Sequence, residues 1–445
     1  MGWAQQEWAT ADLGDRRLNR RLVKVAQQLA DKPTASIPGA CGGWADTAGA
    51  YRMLSNERFD WRDVLEPHAR CTMQRMASQS LVLCLQDTTE LDFNGQAIDG
   101  LGPLSYEAQR GMYLHPTYAV SVQREPLGVL DAWMWAREPR DVQGQRAGIT
   151  ESVRWIEGYE RLAELAGELP ATRLMQVGDR ESDMAALMQR AQALGWPVDL
   201  LVRSQHNRVL PGGQRLWDEV QASASLGEIE FTMPARAGRT ARKVRQEVHL
   251  KRMRLAGSEH TGLEMTCVIA SEVAPPKGAK PVCWRLLTNR EVSTLAEALT
   301  LIEWYRARWE VEMFFHVLKT GCRVEALQLA SLPRMERALA LFMVVSWRIA
   351  HLMRTGRTCP ELNAALMFDG DEIKAAYVLN KKTPPLEPPG LNEVLRHVAM
   401  LGGFLARKGD GEPGVKTIWL GLQRVMDFAA GIRFMRDSDT AGTCV

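Results

Sequence analysis

Apolar positions at Leu18, Leu22, Val25, Ala26 and Leu29 recur at helical spacing within residues 14–30, with Asp15 placed to cap the start. Further on the period changes. Leu81–Leu85 (LVLCL) is a short apolar run ending at Gln86-Asp87-Thr88-Thr89, the pattern of a buried strand with an acid at its C-terminal end. Tyr113–Val122 and Leu127–Ala136 read as two more strands joined at Glu125-Pro126, and residues 147–167 as a helix. Arg173–Val177 reads as a strand ending at Gly178-Asp179-Arg180-Glu181, Met184–Leu194 as a helix and Val198–Val202 as a strand. Three strands, a helix, a strand, a helix and a strand predict an α/β core with a mixed sheet.

Residues 204–283 break that order. Turn signals (Pro211-Gly212-Gly213, Ala237-Gly238) separate alternating stretches such as Glu228–Met233 and Met265–Ile269, so a β-rich insertion is expected. The chain returns to the core at Trp284–Leu287. A long helix should follow from Thr294, with Glu297 completing a capping box, to Thr320-Gly321. Pro333–Arg357, about 391–407 and about 416–435 also read as helices, with PPLEPP at 384–389 as a linker or loop. The expected organisation is a helical unit over 1–70, an α/β unit over 71–330 with the insertion at 204–283, and an α-helical region over 331–445.

Composition narrows the classes. Fifty-five Lys and Arg against 53 Asp and Glu give +2, which excludes a uniformly basic coat; a polyanion would have to be met by local patches. One candidate is the polar face of the first helix: Arg16, Arg17, Arg20, Arg21 and Lys24. It reads equally as a solvated face or as a surface for the DNA backbone. A second is 236–254, with Arg236, Arg239, Arg242, Lys243, Arg245, Lys251, Arg252 and Arg254 against Glu247, either a polyanion patch or an exposed basic hairpin. The eight cysteines form no CxxC pair, which argues against structural zinc and for free thiols in a reducing cytosol. No hydrophobic leader opens the chain and no run of 18 apolar residues occurs, so no membrane association is expected. Ala338–Val345 (ALALFMVV), bounded by Arg337 and Arg348, reads as a buried helix.

The chemistry concentrates in Tyr305–Lys319, YRARWEVEMFFHVLK. At 100° per residue, Tyr305, Arg308, Glu312 and Lys319 share a stripe about 60° wide. Trp304, Val311, Phe315 and Leu318 occupy the adjoining face. A salt-bridged helix also places Arg and Glu four apart, so the stripe alone does not decide. Asp87 and Asp179 each close an apolar strand, where ligands of α/β sheets gather. If those strands are neighbours, Glu312 from a helix on the same sheet could complete a group of three carboxylates. Such a group needs cations to offset its repulsion, and oxygen-only donors favour Mg²⁺ or Mn²⁺. Two ions about 3.5–4 Å apart would activate a nucleophile and stabilise the leaving oxygen of a phosphodiester. Arg308 and Lys319 would neutralise phosphate, and Tyr305 could hydrogen-bond a phosphate oxygen.

Tyr305-x2-Arg308-x3-Glu312-x6-Lys319 resembles the YREK signature of the bacterial IS-four-family, Tn-five-like cut-and-paste transposases. The resemblance takes in LGDRRLNRRLVKVAQQLA, GAYRMLSN (Gly49–Asn56), Asp87-Thr88-Thr89, Gly178 to Asp183, Leu201 to Ser204, PPKG (Pro275–Gly278) and Leu401-Gly402-Gly403-Phe404. It implies an RNase H-like core carrying a DDE triad, here Asp87, Asp179 and Glu312, and metal-dependent phosphoryl transfer on DNA, which agrees with the Mg²⁺ or Mn²⁺ ions expected at the three acids. It implies end nicking, hairpin formation, hairpin opening and strand transfer. Trp284 and Trp309 match base-stacking tryptophans, with a core aromatic as the other reading of Trp284. Arg17, Arg21 and Arg52 match positions that grip the transposon end. Arg203 and Arg208 lie where the last core strand exits, near the expected catalytic mouth. His316 stands where relatives can carry a lysine. The implied partners are double-stranded DNA, at transposon ends and target, and a second copy of the chain, in the cytoplasm at the nucleoid. A transposase-derived DNA-binding regulator and a metal-dependent nuclease without strand transfer are the competing readings.

Overall fold

In the computed structural model, residues 2–147, 150–233, 240–255 and 262–441 are described. The first helices are α1 (Trp3–Glu7), α2 (Arg16–Asp31), α3 (Ile37–Ala40), α4 (Trp44–Leu54) and α5 (Trp61–Met76). Asp15 caps α2, its carboxylate accepting from the Arg17 N–H at 2.6 Å, and Leu22, Val25, Ala26 and Leu29 are buried on one face. α5 runs through residue 70 and packs against the sheet. Its buried His68 accepts from the Val129 N–H at 2.9 Å through Nε2, so Nδ1 carries the proton shared with Glu7 of α1 at 2.5 Å.

The sheet holds β1 (Leu81–Gln86), β2 (Thr89–Asp92), β3 (Gly102–Pro103), β4 (Arg110–Ser121) and β5 (Pro126–Trp135). α6 (Val153–Glu168), β6 (Arg173–Gly178), α7 (Ala185–Ala193) and β7 (Asp199–Arg203) follow. The insertion contributes α8 (Leu216–Gln221), β8 (Ser225–Met233), β9 (Arg242–Leu255) and β10 (Leu263–Glu272) before β11 (Cys283–Thr288). The strands run in the order β5-β4-β1-β6-β7-β11-β10-β9-β8, with β1, β6 and β7 parallel and the remaining pairings antiparallel. The five strands β5-β4-β1-β6-β7, flanked by helices, form the expected RNase H-like mixed sheet. The insertion is β-rich as expected, but it prolongs the core sheet, because β11 pairs with β7 and carries β10, β9 and β8 outward. Two short strands were not expected. β2 pairs with the edge of β4 that also holds β1, so β1 and β2 are one strand interrupted at Asp87-Thr88.

Beyond the sheet lie α9 (Leu295–Arg306), α10 (Trp309–His316), α11 (Leu332–Thr358), α12 (Gly370–Leu379), α13 (Leu391–Leu401) and α14 (Val415–Ala441). The single helix expected over 294–321 is broken. At its bend the Ala307 N–H is shared between the Glu303 and Trp304 carbonyls, and the Arg308 N–H reaches back three residues to Tyr305 at 3.0 Å. Its last turn, Val317–Gly321, opens into a π-helix. α11 is long and apolar enough to cross a membrane by composition alone, yet 89% of its apolar window is buried in this fold. Ala338 to Val345 are all buried, and Arg337 donates to the Phe59 and Leu54 carbonyls at 2.9 and 3.3 Å, tying α11 to the N-terminal helices.

Candidate active site

Parallel pairing sets the acids side by side. Leu85 lies opposite Val177, so the same register brings Asp87 opposite Asp179, about one strand spacing (~4.8 Å) away. Gly178 lies opposite Val202, which places Arg203 next in the row. Asp87, Asp179 and Arg203 therefore stand at the C-terminal ends of three adjacent parallel strands. Asp179 is fixed by accepting the Glu181 N–H at 2.8 Å, and Asp87 by the Thr88 N–H at 2.9 Å. Below them, buried Gln86 donates to Thr117 Oγ1 at 2.9 Å and accepts from buried Gln176. A Cβ on Gly158 of α6 would come within 2.5 Å of Gln86 Nε2, so glycine lets that helix close on the network.

The helical half of the site approaches from α9 and α10. The Arg308 guanidinium, at the bend between them, is ion-paired with Asp87 and lies 3.4 Å from Glu312 Oε1. Burial pushes the Asp87 carboxyl up to about 6; Arg308 opposes this, while Asp179 and Glu312 add to it. Burial also raises the Tyr305 hydroxyl, against Arg308 and Arg203 nearby. Five of the expected residues, Asp87, Asp179, Glu312, Tyr305 and Arg308, thus meet around one guanidinium. They do not form the closed carboxylate group expected: among the described residues no three acidic, His or Cys side chains are gathered to hold a metal ion. The physical reason is the same repulsion. Glu312 is 44% exposed, and a fixed cation, Arg308 at 13%, stands between it and Asp87.

Lys319 lies further along, on the π-turn. Its Nζ donates to the Glu90 carbonyl at 2.7 Å and pairs with Glu325 at 3.2 Å. Trp284 is half-buried on β11 and already stacked on Phe231, centroids 5.2 Å apart, whereas Trp309 is 57% exposed beside Arg308. Arg208, expected near the catalytic mouth, is engaged within the protein. Its guanidinium turns inward to fully buried Asp183 at 2.7 Å and to the Asp183 carbonyl at 2.9 Å, so it secures the loop after β7. Arg17 and Arg52 are exposed, and Arg21 pairs with Asp46 at 3.1 Å under Gly49, whose hydrogen leaves room for the guanidinium. The basic stretch of the insertion is interleaved with acids. Arg242, Lys243, Arg245, Lys251 and Arg252 pair with Glu272, Glu230, Glu228, Glu219 and Glu291. The acids come from β8 (Glu228, Glu230), β10 (Glu272), α8 (Glu219) and the loop after β11 (Glu291). Arg236 and Arg239 lie outside the described residues.

Three family models match the chain: transposase DNA-binding over residues 1–59, transposase DDE domain over 175–347 and transposase Tn5 dimerisation domain over 344–442. The chain belongs to the Tn5-like DDE transposases. A DDE domain brings a general dependence on divalent metal. The matched range of this transposase includes Asp179 and Glu312 and begins after Asp87, so Asp87 stands on its strand pairing. A cryo-EM structure of a piggyBac transposase synaptic complex with hairpin DNA is 8% identical at a TM-score of 0.35. That match covers 85% of this chain and 60% of the other, so the transposase spans about three-fifths of that chain's length; at this score the likeness carries no argument.

Two supports of the site were not foreseen. Buried Glu310 pairs with Arg354 Nε at 3.0 Å, pinning α10 to α11. Gln86 and Gln176, polar residues inside apolar strands, were the visible sign of the network under the acids.

Proposed function

We propose that this transposase cleaves transposon ends by nick, hairpin and hairpin opening, and joins the freed 3′ ends to target DNA, with Asp87, Asp179 and Glu312 as its acids. The observation that carries the reading is the register that sets Asp87 and Asp179 at adjacent strand ends, with Arg308 bridging Asp87 and Glu312. An oxygen-only donor set, and an Asp87 carboxyl raised by burial and by its neighbours, fit hard divalent cations, Mg²⁺ or Mn²⁺, two of them if nucleophile and leaving oxygen are both served. The three acids would hold them, and the bound ions would supply an activated nucleophile and charge stabilisation at the leaving oxygen. Arg308, released from Asp87, would fork onto a phosphate. Tyr305 would donate to a phosphate oxygen and Arg203 would flank it. Lys319 would hold the β2 edge from which a strand approaches. Arg17, Arg21 and Arg52 would grip the transposon end, and Trp284 or Trp309 would take the base that leaves the stack. The C-terminal helices would pair two copies in the cytoplasm, at DNA. Residues 1–70, 71–330 and 331–445 would divide the binding, chemical and pairing roles.

Asp87→Asn, Asp179→Asn and Glu312→Gln are each expected to reduce cleavage of a labelled end duplex more than ~10³-fold, with end binding unchanged in a gel shift. Cleavage near the wild-type rate by any of the three would overturn its assignment.

A further inference from the structure

On the β4–β5 side of Asp87 the surface opens into two adjoining cavities. The inner one, about 300 Å³, is lined by the acids Asp87, Glu90, Glu151 and Glu181 together with Arg137 and aromatic rings such as Trp135, so its positive charge comes from the outer one. The outer one, about 720 Å³, is lined by Arg137, Arg140, Arg146 and Arg154. Ser105, Trp135, Arg137 and Glu151 belong to both, so the two form one path that ends at Asp87. A column of side chains stiffens it. Arg137 lies over Tyr113 at 4.0 Å, Tyr113 stacks on Trp135 at 5.1 Å, and Arg154 covers the far face of the column at Trp135.

The guanidiniums are incompletely matched. Arg140 and Arg146 both pair with the one carboxylate of Glu107, and Arg137 pairs with Glu151. Nη1 of Arg154 is buried with no hydrogen-bond partner among the described residues. Asp141 accepts from the Gln143 and Gln145 N–H groups at 2.9 and 2.8 Å. Rigid, partly matched arginines beside an aromatic column are what a phosphodiester strand uses.

We propose that this path seats the DNA strand lying across the cleaved bond from the transposon end. The placement follows from sheet order: Arg203 and Trp284, on β7 and β11, lie on one side of Asp87, and the path lies on the other, over β4 and β5. The inference rests on the transposase reading above. The occupant is a deoxyribose-phosphate strand, which is donor flank before cleavage and target strand afterwards.

The test uses the full chain with Mg²⁺, carrying Arg140→Gln and Arg146→Gln together, Arg154→Gln, or Glu107→Gln. One arm measures binding and cleavage of an end duplex with 20 flanking base pairs added by design, against the same end precut (on the order of two turns). The other measures joining of precut ends to a supercoiled plasmid. The double variant should bind precut ends within about twofold of wild type. It should lose the flank's contribution to affinity and at least about tenfold in joining, and its salt slope should fall by about two. Loss in both arms is the expected result for a seat that donor flank and target occupy in turn; loss in one arm alone would overturn the shared occupancy. Glu107→Gln should move the same readouts the opposite way, whereas a purely structural role would make it resemble the double variant. Unchanged flank dependence and joining in the double variant, or an equal loss on precut ends, would overturn the proposal. Failure of the wild-type protein to bind and join ends would instead overturn the underlying reading.

Discussion

At the scale of single residues, Arg308 decides how the site behaves before DNA arrives. It supplies the positive charge that lets Asp87 and Glu312 face one place, and its own charged form is favoured by Asp87 and Glu312 against burial. Replacing it removes the partner of a mostly buried carboxylate and, on the proposed function, a fork for phosphate. Arg308→Gln is expected to slow end cleavage by about 10–10²-fold with end binding retained, and Arg308→Lys to recover only part of the rate, because an ammonium replaces the Nη1 charge between the two carboxylates but cannot fork onto a phosphate as a planar guanidinium does. Single-turnover cleavage of a labelled end duplex checks this, and full recovery by lysine would show that charge alone is used. That Asp87, Asp179, Tyr305, Arg308 and Glu312 would gather was legible because strand ends and a helical stripe are local patterns. Their engagement was not. The inward turn of Arg208 to Asp183 and the acids paired to the insertion's basic strand depend on residues brought in by tertiary pairing.

Among the elements, the strands of the core were legible because buried parallel strands are continuous apolar runs, and the mixed α/β class followed from their alternation with helices, whereas which strands are neighbours shows only in the pairing. The break in the 294–321 helix was not, since Ala307 and Arg308 carry no breaker residue and the bend shows only as shortened hydrogen bonding. α12 was missed although Asp369 and Glu372 form a capping box ahead of IKAAYVL. What holds the short α10 in place is Glu310, buried and paired with Arg354 of α11. Breaking a buried pair from one side leaves the other charge uncompensated, so Glu310→Gln is expected to cost about 2–4 kcal/mol in denaturant unfolding. Because α10 carries Glu312, cleavage should fall further than end binding. Gly158→Ala, which drives a Cβ into Gln86, is expected to cost about 1–3 kcal/mol by the same measurement.

Over the whole molecule, the N-terminal helices and α11 meet at a junction that titrates. Glu336 of α11 is mostly buried there, and burial pushes its carboxyl from 4.5 up to about 7; Arg62 and Arg337 oppose the shift and Asp60 adds to it. The folded state therefore binds this proton more tightly than the unfolded state does. Its stabilising contribution is complete below about pH 4.5 and is lost as the pH rises through about 7. Glu336→Gln keeps the shape and removes the titration. The variant should match wild type in thermal unfolding near pH 4.5 and exceed it at pH 8 by about 1–2 kcal/mol, a figure reduced for partial exposure. The raised Asp87 carboxyl titrates in the same range but is common to both proteins, so it cancels in the difference. A gap that is constant from pH 4.5 to 8 would mean that Glu336 is ionised in the folded protein throughout. The junction joins the N-terminal helices to the helix that pins α10 through Arg354, so the same substitution also asks whether a firmer junction alters cleavage. End affinity and cleavage rate measured at pH 8 should both stay within about twofold of wild type, because Arg337 keeps its bonds to the Phe59 and Leu54 carbonyls whether or not Glu336 is charged.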